Sequence, residues 1–121
     1  MSAFIISKRD GNFKFTFASR KGKTIFTSIS CKEKSDCELI IAAIRENITD
    51  FTFTRMRTGS GKYHFRISRN GLVLANSRKF STELMLKKGI DQIMKYVPEA
   101  VTLDFSEDEP VFSDVEGVSD L

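Results

Sequence analysis

Residues 61–100 read GKYHFRISRNGLVLANSRKFSTELMLKKGIDQIMKYVPEA, and two different periods run through them. Tyr63, Phe65 and Ile67 alternate with His64, Arg66 and Ser68, as a strand with one buried face requires. Further on, Leu86, Ile90, Ile93 and Val97 fall at i, i+4, i+7 and i+11, the spacing of one helical face. Between the two, Asn70-Gly71 predicts a tight turn of the primed type and Val73 to Ser77 a second apolar strand. Ser81 is the expected N-cap of the helix, with Glu83 supporting its positive end, and Val97-Pro98 ends it. Gly89 stands in mid-helix, where an exposed glycine costs about 1 kcal/mol against alanine. Close approach to a neighbouring backbone is the expected reason for it.

Residues 11–47 follow the same plan. GNFKFTFASRKG sets Phe13, Phe15 and Phe17 against Tyr63, Phe65 and Ile67, and one extra residue brings Gly22 onto Gly71. Thr24 to Ser28 then matches Val73 to Ser77. Placing Cys37 against Leu86 drops Ile41, Ile44 and Ile48 onto Ile90, Ile93 and Val97. A register of period two and one of helical period agree independently, which predicts two copies of one unit.

These residues carry a family resemblance. An aromatic-x-Phe-x-apolar strand (Tyr63, Phe65, Ile67), a turn glycine (Gly71), a strand ending on Ser77, a helix with Gly89-Ile90 and a close on Val97-Pro98-Glu99-Ala100 resemble the YegP-like family of tandem strand-and-helix repeats. The resemblance covers roughly residues 4 to 100. The first copy departs from it: Ile40 stands at the helix glycine, Lys21 is inserted before Gly22, and Cys31 replaces the aromatic kept as Phe80. The resemblance implies a duplicated domain of unknown biochemical role, with no catalytic residues to carry over.

Phe4, Ile6 and Lys8 share a face of a first strand, and Asp10-Gly11 turns it into the second. In the third, Ile25, Thr27 and Ile29 are expected on one face and Phe26 on the other. Helix one is expected from about Lys34 to Asn47, entered near Glu33 or Ser35. Phe51, Phe53 and Arg55 repeat the pattern of Phe4, Ile6 and Lys8. The expected core holds Phe13, Phe15, Phe17, Ile41, Ile44, Phe51, Phe53, Tyr63, Phe65, Ile67, Leu86, Ile90 and Ile93. The prediction is an α+β domain of two βββα repeats, an antiparallel sheet with two helices packed on one face, the copies related by a pseudo-twofold. Its bounds are 1–103, with repeat one about 3–49 and repeat two about 50–100.

The 121 residues, 40% of them hydrophobic with eleven Phe and no Trp, suit one core able to fold without staples. No apolar run is long enough to span a membrane, and MSAFIISKRDG is too soon charged for a signal peptide, so a cytoplasmic chain without membrane partners is expected. Cys31 and Cys37 fit reduced thiols there, although their spacing permits a disulfide. The net charge of +3 hides an asymmetry: residues 1–103 hold all 19 Lys and Arg against nine acids, and 104–121 hold seven acids and no base. An acidic, flexible tail over 104–121 is expected.

Gly59-Ser60-Gly61-Lys62 lacks the remaining residues of a phosphate-binding loop, with Met56 and Tyr63 in the wrong places, and reads as a hairpin turn. His64 alternates outward and Cys37 inward, so a nucleophile pair is not expected; one His and two Cys make no recognisable metal site. No cofactor is expected, and no enzyme. The outward positions Lys14, His64 and Arg66, with Arg20 and Arg69 near strand ends, offer a basic sheet face that could attract phosphate. The functional expectation is a non-catalytic interaction or structural module with an unknown protein partner or self-association. The alternative is a weak nucleic-acid binder checked by the acidic tail, so that deleting 104–121 would strengthen oligonucleotide binding.

Overall fold

The computed structural model describes residues 2–106. The chain runs β1 (Ala3–Arg9), β2 (Asn12–Ala18), β3 (Thr24–Ser28), α1 (Lys34–Glu46), β4 (Thr52–Arg57), β5 (Tyr63–Arg69), β6 (Leu72–Ser77), α2 (Glu83–Tyr96) and β7 (Val101–Asp104), with a 3-10 turn after each helix. The strands form one sheet in the order β4-β5-β6-β3-β2-β1-β7. Asp10-Gly11 and Asn70-Gly71 all adopt positive φ, from 54° to 81°, as primed turns demand of both central residues.

Register settles which side chains share a face. Phe4 pairs with Phe17, Ile6 with Phe15, Phe17 with Phe26, Ser28 with Ala75 and Ile67 with both Ala75 and Phe53. Directly paired residues point the same way, so these residues line one face, and both helices cover it. α1 lays the Arg45 guanidinium 5.4 Å from the centre of the Phe4 ring. α2 sets Gly89 against the ring of Phe80, which stacks on Phe65. Cys37, Ile41 and Ile44 of α1 and Leu86 and Ile93 of α2 are buried beneath them. Phe4, Phe15, Phe17, Phe26 and Phe65 are wholly buried, and burying a ring of this size contributes about 1.5 to 3 kcal/mol.

Three expectations need correction. The sheet is mixed, because β7 pairs in parallel with β1, Ala3 beside Val101 and Ile6 beside Asp104. β7 was not among the expected strands, and it takes in Asp104, the residue at which the acidic tail was expected to begin. The tail's remaining stretch, 107–121, lies outside the described residues. Secondly, Phe26 faces the core, stacked 5.5 Å from Phe17, not outward. Phe26 does lie opposite to Thr27, but it pairs with Phe17 and shares its face with Ser28, so that face of β3 is the one on the core; the register irregularity comes one residue earlier, at Ile25, which is buried as well. Thirdly, α2 is capped one residue later than expected: the Thr82 hydroxyl accepts from the Met85 N–H at 3.1 Å. Of the expected core, Phe13, Phe53, Tyr63 and Ile90 are half-buried at its rim, whereas Phe4, Ile6, Phe80 and Val97 join it.

Matched positions behave alike in the two halves. Phe15 N–H donates to Ser28 Oγ at 2.9 Å, and the Ser28 hydroxyl donates to the Ile29 carbonyl at 2.8 Å. Phe65 N–H donates to Ser77 Oγ at 2.9 Å, and Ser77 donates to the Arg78 carbonyl at 2.6 Å. Phe13 bridges Cys31 as Tyr63 bridges Phe80. The turns, however, trade places. The longer loop closes β2–β3 in the first half, where Ser19 N–H donates to Lys23 O and Gly22 N–H to Ser19 O; in the second half the same two bonds close β4–β5, from Thr58 to Lys62 and from Gly61 to Thr58.

Candidate functional site

A cleft of about 760 Å3 opens where β1 and β3 begin and β2 and β6 end. One wall is the β2–β3 loop, Ser19 to Thr24. The other is a single stripe of α2, formed by Met85, Lys88, Gly89, Gln92 and Tyr96, because residues three and four apart stack along one side of a helix. Ser2, Ile25 and Phe80 are buried at its base. Gly89 admits the Phe80 ring beneath the helix: a Cβ there would stand 2.9 Å from the ring's Cζ. A mid-helix glycine for close approach was expected, but its neighbour is a ring and not a backbone.

Among the described residues, five cations line this cleft, Arg20, Lys21 and Lys23 on the loop, Arg78 after β6 and Lys88 on α2, and no carboxylate lines it. None of the five forms an ion pair among the described residues. Arg78 is held by its own backbone, its N–H donating to the Ile25 carbonyl at 2.9 Å, and its guanidinium lies 5.2 Å from the Phe80 ring centre. The cleft therefore concentrates positive charge above an apolar base, where attraction for an anion is screened less than on a convex surface.

The basic residues picked from the sequence are not gathered together. Only Arg20 reaches the cleft. Lys14 and Arg66 are exposed on the sheet face that carries no helix, with neutral Thr27 and Asn76 in the strands between them. His64 is half-buried in β5 opposite Met56, and its Nδ1 has no hydrogen-bond partner among the described residues. Arg69 lies 3.9 Å from Asp50 and stands over the Phe51 ring. Sequence reasoning missed Lys21, Lys23, Arg78, Lys88, Gln92 and Tyr96 as a group. Gly89 was the signal that could have led to them.

The two cysteines are buried free thiols. Burial, then the hydrogen bond with Cys31 and the nearby charges of Asp36 and Glu38, push the Cys37 thiol up to about 12, so it stays protonated at neutral pH and is a poor nucleophile. Among the described residues, no cluster of His, Cys, Asp and Glu could hold a metal ion, and no helix is long and apolar enough to cross a membrane.

The model of a domain of unknown function, DUF1508, matches residues 59–104, from the β4–β5 loop to the end of β7. A UPF0339 protein of Pseudomonas aeruginosa is 29% identical over 100 residues, covering 81% of this chain and 91% of its own. Another, from the 5' region of the ptx operon of Stutzerimonas stutzeri, is 26% identical over 102 residues, covering 83% and 92%. The solution structure of YegP from E. coli, a protein of unknown function, matches with a TM-score of 0.81 at 22% identity, over 89% of this chain and 96% of that one. A UPF0339 protein of Shewanella oneidensis gives 0.80 at 19%, over 93% and 98%. The family model and the structural neighbours support the YegP-like resemblance read from the sequence; these relatives are uncharacterised, with no enzymatic activity attached to them.

Proposed function

We propose, with the YegP-like resemblance as premise, that this protein is a non-catalytic binding module made by doubling a βββα unit, and that it recognises an anionic partner in the cleft beside α2. The doubling, with a pseudo-twofold between the central strands β3 and β6, is supported by the paired serine hydrogen bonds and by the two matching bridges. One observation carries the binding reading: among the described residues, five cations with no ion pair converge on a cleft that no carboxylate lines. The high-lying thiol of Cys37 favours recognition over covalent chemistry.

Retention on immobilised heparin tests this against the basic sheet face. Arg78→Glu/Lys88→Glu and Lys14→Glu/Arg66→Glu change net charge equally, so bulk charge cancels between them. The cleft pair is expected to elute at clearly lower salt than the sheet-face pair. The reverse order would move the site to Lys14, His64 and Arg66, and equal elution of both pairs would remove a localised site. Self-association is a second reading, supported by the edge strand β7 and the residue after it, where Val101, Leu103 and Phe105 are 39%, 41% and 52% exposed. A sedimentation coefficient that stays constant as concentration rises would exclude it.

A further inference from the structure

The geometry points to a specific class of ligand for this cleft, an inference that rests on the anion-binding reading: we propose that it takes a small phosphomonoester carrying a flat polar ring, of the size of a mononucleotide.

Size comes first. A volume of about 760 Å3 falls within the roughly 300 to 1,000 Å3 of sites that enclose single small molecules. Inorganic phosphate would leave most of that space wet.

Chemistry comes next. The loop cations Arg20, Lys21 and Lys23 face Lys88 across it, with Arg78 near the base, a surplus that suits a doubly charged phosphoryl group. Along the α2 stripe Lys88 is flanked by Met85, 45% exposed, about one turn before it and by Gln92 about one turn after it, with half-buried Tyr96 one turn further on. Beyond Lys88, the Tyr96 phenol offers a surface against which a ring can pack. Gln92 is the neutral member of the stripe, and its amide both donates and accepts, as reading a heteroaromatic edge requires. An aliphatic phosphate would use the cations and waste Gln92 and Tyr96.

β7 starts beside Ala3, next to the cleft residue Ser2, and runs parallel to β1, away from the cleft, to Asp104 beside Ile6. The described chain thus leaves the sheet at the end opposite to the site.

Isothermal titration of the full chain with AMP, ribose 5-phosphate, adenosine, inorganic phosphate and an eight-residue oligothymidylate tests the proposal. One AMP per chain is expected, bound about tenfold more tightly than ribose 5-phosphate, the gain that ring stacking brings. Adenosine and inorganic phosphate are each expected to bind at least about tenfold more weakly than AMP. Lys88→Glu should weaken AMP by about tenfold at an unchanged melting temperature. Gln92→Leu should weaken AMP and leave ribose 5-phosphate alone. Equal affinity for AMP and inorganic phosphate would overturn the ring-bearing ligand while leaving the anion-binding reading in place. Absence of all binding, with heparin retention indifferent to Arg78→Glu/Lys88→Glu, would overturn both. Oligothymidylate binding tighter than AMP and insensitive to Lys88→Glu would also overturn the proposal, in favour of a nucleic-acid strand on another surface.

Discussion

Ser28 and Ser77 do the same work in the two halves of the chain, each accepting from the strand behind it and donating to the carbonyl after it, but the residues that follow them part company. The second half has Phe80 and Gly89, a large ring fitted under a helix with no side chain at the contact. The first half has Cys31 and Ile40 at the aligned positions, small where the other is large and large where the other is empty. The stripe beside them diverges too: Lys88 and Gln92 align with Leu39, 69% exposed, and Ala43. The facing loop differs in the same sense, since the basic Ser19 to Lys23 loop of the first half corresponds to the two-residue Asn70-Gly71 turn of the second. At these aligned positions the second half carries charge beside an opening, and the first half carries apolar side chains.

The equivalence of the halves is tested most severely in the core. Ile44 and Ile93 are both fully buried at aligned positions, and an aspartate at either adds the cost of an unpaired buried charge to about 1.5 to 3 kcal/mol of lost burial. Ile44→Asp and Ile93→Asp are expected to unfold the domain, seen as loss of the cooperative melt by circular dichroism. A variant with the wild-type melting temperature would place that helix in the wrong phase.

Next is the exchanged pair. Gly89→Ile drives a side chain into the Phe80 ring and should cost about 1 to 3 kcal/mol, or several degrees of melting temperature in a domain of this size. Adding Phe80→Cys, which copies the first half's pair into the second, should recover most of that loss while abolishing AMP binding. A double variant less stable than the sum of its parts would show that the two pairs are not volume-for-volume substitutes.

The serines come third. Ser28→Ala leaves the Phe15 N–H unpaired in a buried setting, at about 1 to 3 kcal/mol. Ser77 is only half-buried, so water can reach the Phe65 N–H and Ser77→Ala should cost less, as chemical denaturation will measure. The smallest effect belongs to Asp104. The Ser106 hydroxyl, then Lys34 at 2.9 Å, hold its carboxyl down to about 2 from the ordinary 3.8. A depressed carboxyl contributes stability in full above its unfolded value and loses it as pH falls through the folded one. Melting temperature should therefore decline slightly between about pH 4 and pH 2 from this group, and Asp104→Asn should remove that part of the slope. Because Asp104 belongs to β7, a tail deletion made to test binding should begin at 107 and not at 104.

What the sequence made legible was whatever repeats within one element. The alternation of Tyr63, Phe65 and Ile67 and the helical spacing of Leu86, Ile90 and Ile93 placed β5 and α2, and the alignment of Ser28 with Ser77 anticipated two equivalent hydrogen-bond stations. β7 escaped because its four residues, all exposed, have no buried phase of their own; their strand geometry comes from the free edge of β1. Phe26 was misread because a period-two count sorts β3 into two faces without saying which one meets the core, and Ile25 beside it is buried too. The cleft escaped because its walls lie some sixty positions apart in the chain, and its cations, borne by a loop, a strand end and a helix, follow no common period. Gly89 alone betrayed it, as a local cost without a local reason.

The most direct test follows the backbone amides of the full chain by NMR as AMP is added. The account predicts saturable shifts confined to Ser19 to Lys23, Arg78 to Phe80 and Lys88 to Tyr96, with the aligned first-half residues Ile29 to Cys31 and Leu39 to Asn47 unmoved. Shifts centred on Lys14, His64 and Arg66, or spread equally over both halves, would contradict it.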